Sequence, residues 1–414
     1  MRSPLPHRTP PHSSGQLIKY ILAGWLIDGS GAPLVKNARI TLSDERITDI
    51  RQYHPENIFP DEETLDLSGH TMLPGLVDSH VHLFMSGTGE AEIRKKQLDA
   101  DFEAISPVIS GHIRNHLSHG ILAVRDGGDS RGHALRYKEM MDGKPMPIVL
   151  KVSGKAWRNQ GRYGKLIGRP PAGNTSLSMA IAKEHEKIDQ IKIVNSGLNS
   201  LKEFGKETPP QFTLTEMKAA VVQARKKNLK VMVHANGKKP VEIAILAGCD
   251  SIEHGFFMGR ENLERMAEKK IMWVPTAYTM KAYAQELPSS SRDARIAEKN
   301  FEHQIAQISL AKKLGVHIAI GTDAGSLGVH HGSAIIEEIN FLISAGFMLE
   351  EAIQCASSNG ALLLGLKTPN ILKKGEAATF LVVKGPPDGL AENLRRCQVY
   401  VDAKPFQLDI CELE

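Results

Sequence analysis

The chain has 414 residues, 41% of them hydrophobic, with 51 lysines and arginines against 47 aspartates and glutamates, for a formal net charge of +4. That length suits a (β/α)8 barrel of roughly 250 residues plus a smaller unit, and so small a basic excess argues against a dedicated nucleic-acid binder. No stretch approaches the ~18 unbroken apolar residues of a membrane helix, and the four scattered cysteines, Cys249, Cys355, Cys397 and Cys411, make neither a C-x-x-C pair nor a disulfide framework.

In chain order, residues 1–16 are rich in Pro, His and Ser and lack the apolar core of a signal peptide. They are expected to be a disordered tail, and with unpaired cysteines the expected setting is reducing and cytoplasmic. Residues 17–73 read as short strands (18–27, 38–42, 46–50 and 64–67) with turns at Asp28-Gly29 and Ser43-Asp44. From Pro74 onward the period changes. Eight apolar runs (76–83, 121–125, 148–152, 191–194, 230–234, 251–254, 272–275 and 317–322) alternate with helical stretches such as 215–227, 239–247 and 262–269. Such alternation predicts a parallel sheet. Eight units favour a closed (β/α)8 barrel over residues 74–365, with a doubly wound open sheet as the alternative. After a helix over 350–364, strand-like pieces return at 378–383 and 398–401. Residues 17–73 and 366–414 are therefore expected to form one small β-sandwich domain around the barrel.

The chemistry-bearing residues fall at the ends of these runs. Side chains alternate along a strand, so Asp78, His80 and His82 share one face, where two imidazoles can reach a single metal ion. His234 ends the fifth run, His254 ends the sixth, and Asp323 follows the eighth in Ile320-Gly321-Thr322-Asp323-Ala324-Gly325. A lone His-x-His is a weak pattern, and one histidine is more often structural than a ligand. Five metal-type side chains at strand ends are a constellation, because barrel active sites sit at strand C-termini. Lys192 lies between Ile191 and Ile193, so it points inward as they point outward. Burial lowers a lysine pKa. A neutral amine can react with carbon dioxide to give an anionic carbamate that bridges two metals. The plainer alternative is a lysine paired with a buried carboxylate such as Asp78.

These residues lie in motifs that resemble those of the amidohydrolase superfamily. Leu73-Pro74-Gly75-Leu76-Val77-Asp78-Ser79-His80-Val81-His82-Leu83 looks like its first-strand motif. Val233-His234-Ala235-Asn236-Gly237 and Gly248-Cys249-Asp250-Ser251-Ile252-Glu253-His254-Gly255 resemble the fifth and sixth, and Gly321-Thr322-Asp323-Ala324-Gly325 the eighth. Residues 375–383 resemble the returning strand of its small β domain. The resemblance implies a binuclear centre, typically zinc. His80, His82 and Asp323 would bind the more buried ion and His234 and His254 the more exposed one. An N6-carboxylysine at Lys192 would bridge the two, along with a hydroxide that attacks the substrate. It points towards Xaa-Pro dipeptidase-like and metal-dependent carboxypeptidase-like members, and to Asp323 as the catalytic proton shuttle.

The expected reaction is hydrolysis of an amide or peptide-like bond in a small, anionic substrate of dipeptide or N-acyl amino acid type. A lactonase or phosphoesterase would use the same metals. A mononuclear deaminase or imidazolonepropionase-like enzyme would not need Lys192, and a non-enzymatic scaffold would have lost ligands. Lys155, Arg158, Arg162, Lys165 and Arg169 crowd the loop after the third run, which departs from the Gly- and His-rich loop of dipeptidase-like members. Arg158 and Arg162 are candidates to grip a substrate carboxylate, with Trp157 and Tyr163 as apolar walls. A solvated basic loop is the alternative. Ser326, His330 and His331 could line the pocket. His112, His116, His119, His185 and His303 are read as non-ligands. Beyond a small-molecule substrate no partner is indicated, neither nucleic acid nor membrane, though a homo-oligomer is compatible.

Overall fold

The computed structural model describes residues 18–57, 63–144, 146 and 148–406; the expected tail, residues 1–16, lies outside them. The first strands are β1 (Tyr20–Leu26), β2 (Val35–Ser43), β3 (Arg46–Gln52) and β4 (Thr64–Leu73). β2 shows period-two burial, with Ala38, Ile40 and Leu42 in the core and their neighbours more exposed.

Nine short strands follow, all pairing in parallel. β5 (Leu76–Val81), β6 (Ile121–Asp126) and β7 (Val149–Val152) form one sheet. A second contains β8 (Ala156–Trp157), β9 (Gly168–Arg169), β10 (Gln190–Val194), β11 (Lys230–Ala235), β12 (Ser251–His254) and β13 (Met272–Val274) in the order β13-β12-β11-β10-β8-β9. Seven of the eight expected runs are strands within a residue or two. The eighth, 317–322, makes single links instead of a ladder. Trp273 N donates to His317 O at 2.9 Å on one side, and Ser79 N donates to Ile320 O at 2.9 Å on the other. Its Thr322 N donates to a side chain, Asp78 Oδ1 at 3.0 Å, where a ladder would offer a carbonyl. Between the two sheets, Asp189 N donates to Val152 O at 2.8 Å. β8 and β9 escaped the sequence reading because two residues are too few to show a period.

Helices connect the parallel strands and bury their apolar faces against them. Leu214–Lys226 starts at a capping box, Thr213 with Glu216, two residues before the expected start. The helix expected over 350–364 is two helices, Leu349–Cys355 and Ser358–Leu364. The break falls at Ser357, at φ −135° and ψ −88°. It turns Gly360 onto β5, where a Cβ would come within 2.7 Å of Val77 Cβ. β14 (Phe380–Lys384), β15 (Gln398–Val401) and β16 (Lys404–Phe406) then return to the first strands. β14 pairs antiparallel with β4, Leu381 opposite Leu73. The result is one seven-stranded sheet, β16-β15-β14-β4-β1-β2-β3, in which only β1 and β4 run parallel. A second sheet facing it, as a sandwich requires, is not found among the described residues. Cys249, Cys355 and Cys397 are free thiols, and no described helix is long and apolar enough to cross a membrane.

Candidate metal centre and active site

The site lies where the C-terminal ends of β5, β10, β11 and β12 meet the turn at Asp323. Four imidazoles form a chain of adjacent rings there. His82 to His80 is 5.4 Å between centroids, His80 to His254 is 5.0 Å, and His254 to His234 is 4.6 Å. Each ring has one nitrogen engaged by the protein. His80 Nδ1 meets Glu253 Oε2 at 2.7 Å and His82 Nδ1 meets Gly128 O at 2.9 Å. His234 Nε2 meets Gly197 O at 3.1 Å and His254 Nδ1 meets Thr276 Oγ1 at 2.7 Å. An acceptor on one nitrogen holds the proton there and leaves the other nitrogen's lone pair free, which is how ligating histidines are oriented.

The other nitrogens of His80, on β5, and His82, just past it, face a carboxylate. Asp323 Oδ1 is 3.5 Å from His80 Nε2 and 3.4 Å from His82 Nε2, and donor atoms of these three residues all lie within 4.8 Å of one another. Lys192 Nζ approaches His80 Nε2 at 3.4 Å. Lys192 is 1% exposed and forms no ion pair among the described residues. The alternative pairing with Asp78 is overturned: Asp78 accepts from Thr322 N at 3.0 Å and Thr322 Oγ1 at 2.6 Å, tying the first and eighth segments together. Gly127 leaves the space open, since a Cβ there would stand 3.1 Å from His80 Nε2 and 2.9 Å from His82 Cε1. Donor type, convergence and this open cradle fit a divalent metal ion.

Burial sets the charge states. It pushes His82 down to about 4 and His234 to about 3, and it holds His80 and His254 well below the ordinary imidazole value. All four are thus neutral, the form that binds metal. Desolvation lowers Lys192 even with the Glu253 and Asp323 carboxylates nearby, and raises Asp323. The backbone is strained at the same strand ends. His254, Thr276 and Asp323 lie at φ +67°, +43° and +58°, a left-handed conformation that costs non-glycine residues roughly 1–3 kcal/mol each and concentrates at functional sites.

A cavity of about 1000 Å³, mouth included, opens above these residues. Tyr163 lines it, its ring 5.3 Å from that of His234. Most of the other candidates for substrate contact lie elsewhere. Trp157 is buried in the core, with the Arg169 guanidinium 4.7 Å from its ring centroid. Arg158 Nη1 donates to Asn159 O at 3.1 Å, and Arg162 Nη2 donates to Pro209 O at 2.8 Å. Neither lines the cavity. Glu184 and Glu186, ion-paired to Arg169 and Lys155, neutralise part of the loop. Ser326 reaches the cavity, but His330 is exposed outside it. His331 stacks on His112 at 3.9 Å in a buried cluster with His116, away from the cavity lining.

Three supporting residues went unmarked in the sequence. Glu253 holds His80, and Arg125 Nη2 holds Glu253 Oε1 at 2.9 Å, with all three buried. Thr276 holds His254. Alternation in β12 places Glu253 on the face of Ser251, the same signal that marked Lys192.

A fold of this kind with this donor cluster defines a class of hydrolase. The chain belongs to the amidohydrolase family, whose profile matches residues 71–409, and it is a hydrolase acting on carbon–nitrogen bonds. Among its relatives, ochratoxinase from Aspergillus niger is 26% identical, with 89% of this chain and 82% of that protein covered. Imidazolonepropionase from Christiangramia forsetii is 23% identical, with 86% and 87% covered. Among solved structures, a Xaa-Pro dipeptidase with methionine bound in its active site superposes with a TM-score of 0.76 at 27% identity, covering 94% of this chain and 99% of that one.

Proposed function

We propose that the chain hydrolyses an amide or peptide-like bond of a dipeptide or N-acyl amino acid, using two divalent metal ions held at the ends of a closed (β/α)8 barrel. The observation that carries the reading is the orientation of the imidazoles: four rings, each fixed through one nitrogen, lie in a chain beside Lys192 and Asp323. The links from β13 to residues 317–319, from residues 320–324 to β5, and from β7 to residue 189 support closure of the parallel strands.

His80, His82 and Asp323 would hold one ion, and His234 and His254 the other, with Lys192 between them as a carbamate. Nitrogen and oxygen donors suit zinc. When bound, two such ions would lower the pKa of water to give a nucleophile near neutral pH and polarise the scissile carbonyl. The chain's own residues supply the rest. Asp323 takes the proton from the attacking water and passes it to the leaving amine. Ser326 Oγ, donating to Asp323 Oδ2 at 3.0 Å, fixes the carboxylate's orientation. The Tyr163 phenol, at the cavity wall beside His234 and with its pKa raised, would donate to the oxygen that gains charge in the transition state. The solved Xaa-Pro dipeptidase relative, with methionine in its active site, supports an amino-acid-sized product.

Elemental analysis of protein reconstituted with zinc and bicarbonate should approach two ions per chain. The same preparation should hydrolyse members of a library of dipeptides and N-acyl amino acids. A stoichiometry that stays at one sinks the binuclear reading, and a library left intact sinks the substrate reading.

A further inference from the structure

The cavity contains one cation that the metal centre does not use. Arg94 lies on the helix Ala91–Asp99, in the connection that follows β5 and the two site histidines. Its Nη1 donates to Ser86 O and, at 3.1 Å, to Gly325 O, two residues past Asp323. These bonds fix the guanidinium at the cavity wall. Its Nε and Nη2 meet no acceptor among the described residues, and no carboxylate there pairs with it. Apart from Lys192, Arg94 is the only lysine or arginine lining the cavity. Half-burial already lowers its pKa, the sign of a charge kept from full solvation without a counterion. The Tyr283 phenol, raised chiefly by burial, feels the charges of both Asp323 and Arg94.

The rest of the wall is largely apolar. Phe84, Leu166, Leu198, Phe256 and Met280 line it, and Leu166 and Leu198 are each 54% exposed at its rim. An unpaired guanidinium in an apolar cleft wants a carboxylate carried on a bulky apolar body.

We propose that Arg94 is the carboxylate anchor of this enzyme, and that its substrates are amphipathic acids: dipeptides or N-acyl amino acids with a free carboxylate and a large aliphatic or aromatic group. The proposal rests on the amide-hydrolase reading for its reaction but not for its binding site. It moves the anionic subsite from the loop after β7, where Arg158 and Arg162 stand off the cavity, to the helix after β5.

The test uses zinc-loaded full-length protein and a matched pair of non-hydrolysable probes, 4-phenylbutyrate and its neutral methyl-ketone counterpart 5-phenylpentan-2-one. Calorimetric titration should show the acid binding at least ten-fold more tightly than the ketone. Arg94→Gln should remove that preference by weakening the acid alone, and Arg94→Lys, which keeps the charge but not the fork, should retain part of it. Metal content and Tm of both variants should match wild type. Where hydrolysis of an N-acyl amino acid and its C-terminal amide is measured, Arg94→Gln should lower kcat/KM for the acid roughly ten- to hundred-fold and spare the amide. An acid preference that survives in Arg94→Gln overturns the anchor, because the metal ions or another residue then hold the carboxylate. Equal losses on acid and amide overturn it too, as a positioning effect. Should no amide bond be cleaved while the acid preference still depends on Arg94, the anchor stands and the amide-hydrolase reading falls.

Discussion

Burial lowers the Lys192 ammonium to about 8 even with the Glu253 and Asp323 carboxylates nearby, and that shift has a use. In its neutral form the amine, 3.4 Å from His80 Nε2, would be placed to take up carbon dioxide and present two oxygens where two ions need a bridge. Lys192→Ala is expected to lose most activity and at least one ion per chain, and short carboxylic acids should restore part of both. Full activity in the variant discards the bridge. Glu253 is the second test at this scale. It fixes His80 and is itself fixed by Arg125, and outer partners of this kind are typically worth 10–100-fold in metal affinity. Glu253→Gln should show such a loss in a competitive chelator titration; unchanged affinity would show that His80 holds its orientation unaided. The ligand-type residues were legible because strand alternation and strand ends are one-dimensional properties. Arg94 was not, because its place in the cavity depends on a side chain reaching Gly325, 231 residues away. The basic loop misled for the converse reason: its acidic partners, Glu184 and Glu186, lie beyond the loop that was read.

Among the elements, the parallel strands were readable from short apolar runs, and what failed were features with too few residues or mixed partners. β8 and β9 are two residues each. The eighth segment borrows the Asp78 side chain for a bond that a ladder would supply. The broken helix at Ser357 answers to Val77, a contact across 283 residues that local propensity cannot show. One helix carries a separate consequence. Phe102–Ser118 presents His112 and His116 to His331, with His112 Nδ1 meeting Leu83 O at 2.8 Å and His331 Nε2 meeting Met85 O at 2.9 Å. This cluster backs the connection that follows His82. Burial lowers His112 to about 4 and His116 to about 3, and holds His331 well below its usual value. The unfolded chain, titrating near 6.5, therefore binds these protons first. Their contribution to stability is complete above about pH 6.5 and erodes as pH falls towards 4 and then 3, by about 1.4 kcal/mol per pH unit for each histidine. Urea unfolding of metal-free protein between pH 4.5 and 7.5 should show His116→Gln with a shallower loss on the acid side than wild type. Parallel curves would assign the acid sensitivity to other groups.

At the scale of the molecule, the residues proposed to hold one ion, His80 and Asp323, come from the first and last of the parallel segments, far apart in the chain but adjacent in space. A bound ion is then a cross-link between distant parts of the chain. An ion present at a thousand times its Kd stabilises by about 4 kcal/mol. Dialysis against a chelator should lower Tm, and zinc should restore it; a Tm indifferent to both would place the ions outside the folded core. The seven-stranded sheet has an older problem, that of being made. Its central strand β4 is complete by Leu73, but the neighbour that covers its other edge, β14, begins at Phe380. At translation speeds of roughly 5–20 residues per second, that edge stays bare on a nascent chain for about 15–60 s, offering Thr71 to Leu73 to any passing strand. Yield should therefore be limited by chaperone supply during synthesis, and a slower ribosome, which lengthens the exposure, should lower it unless extra chaperone is supplied.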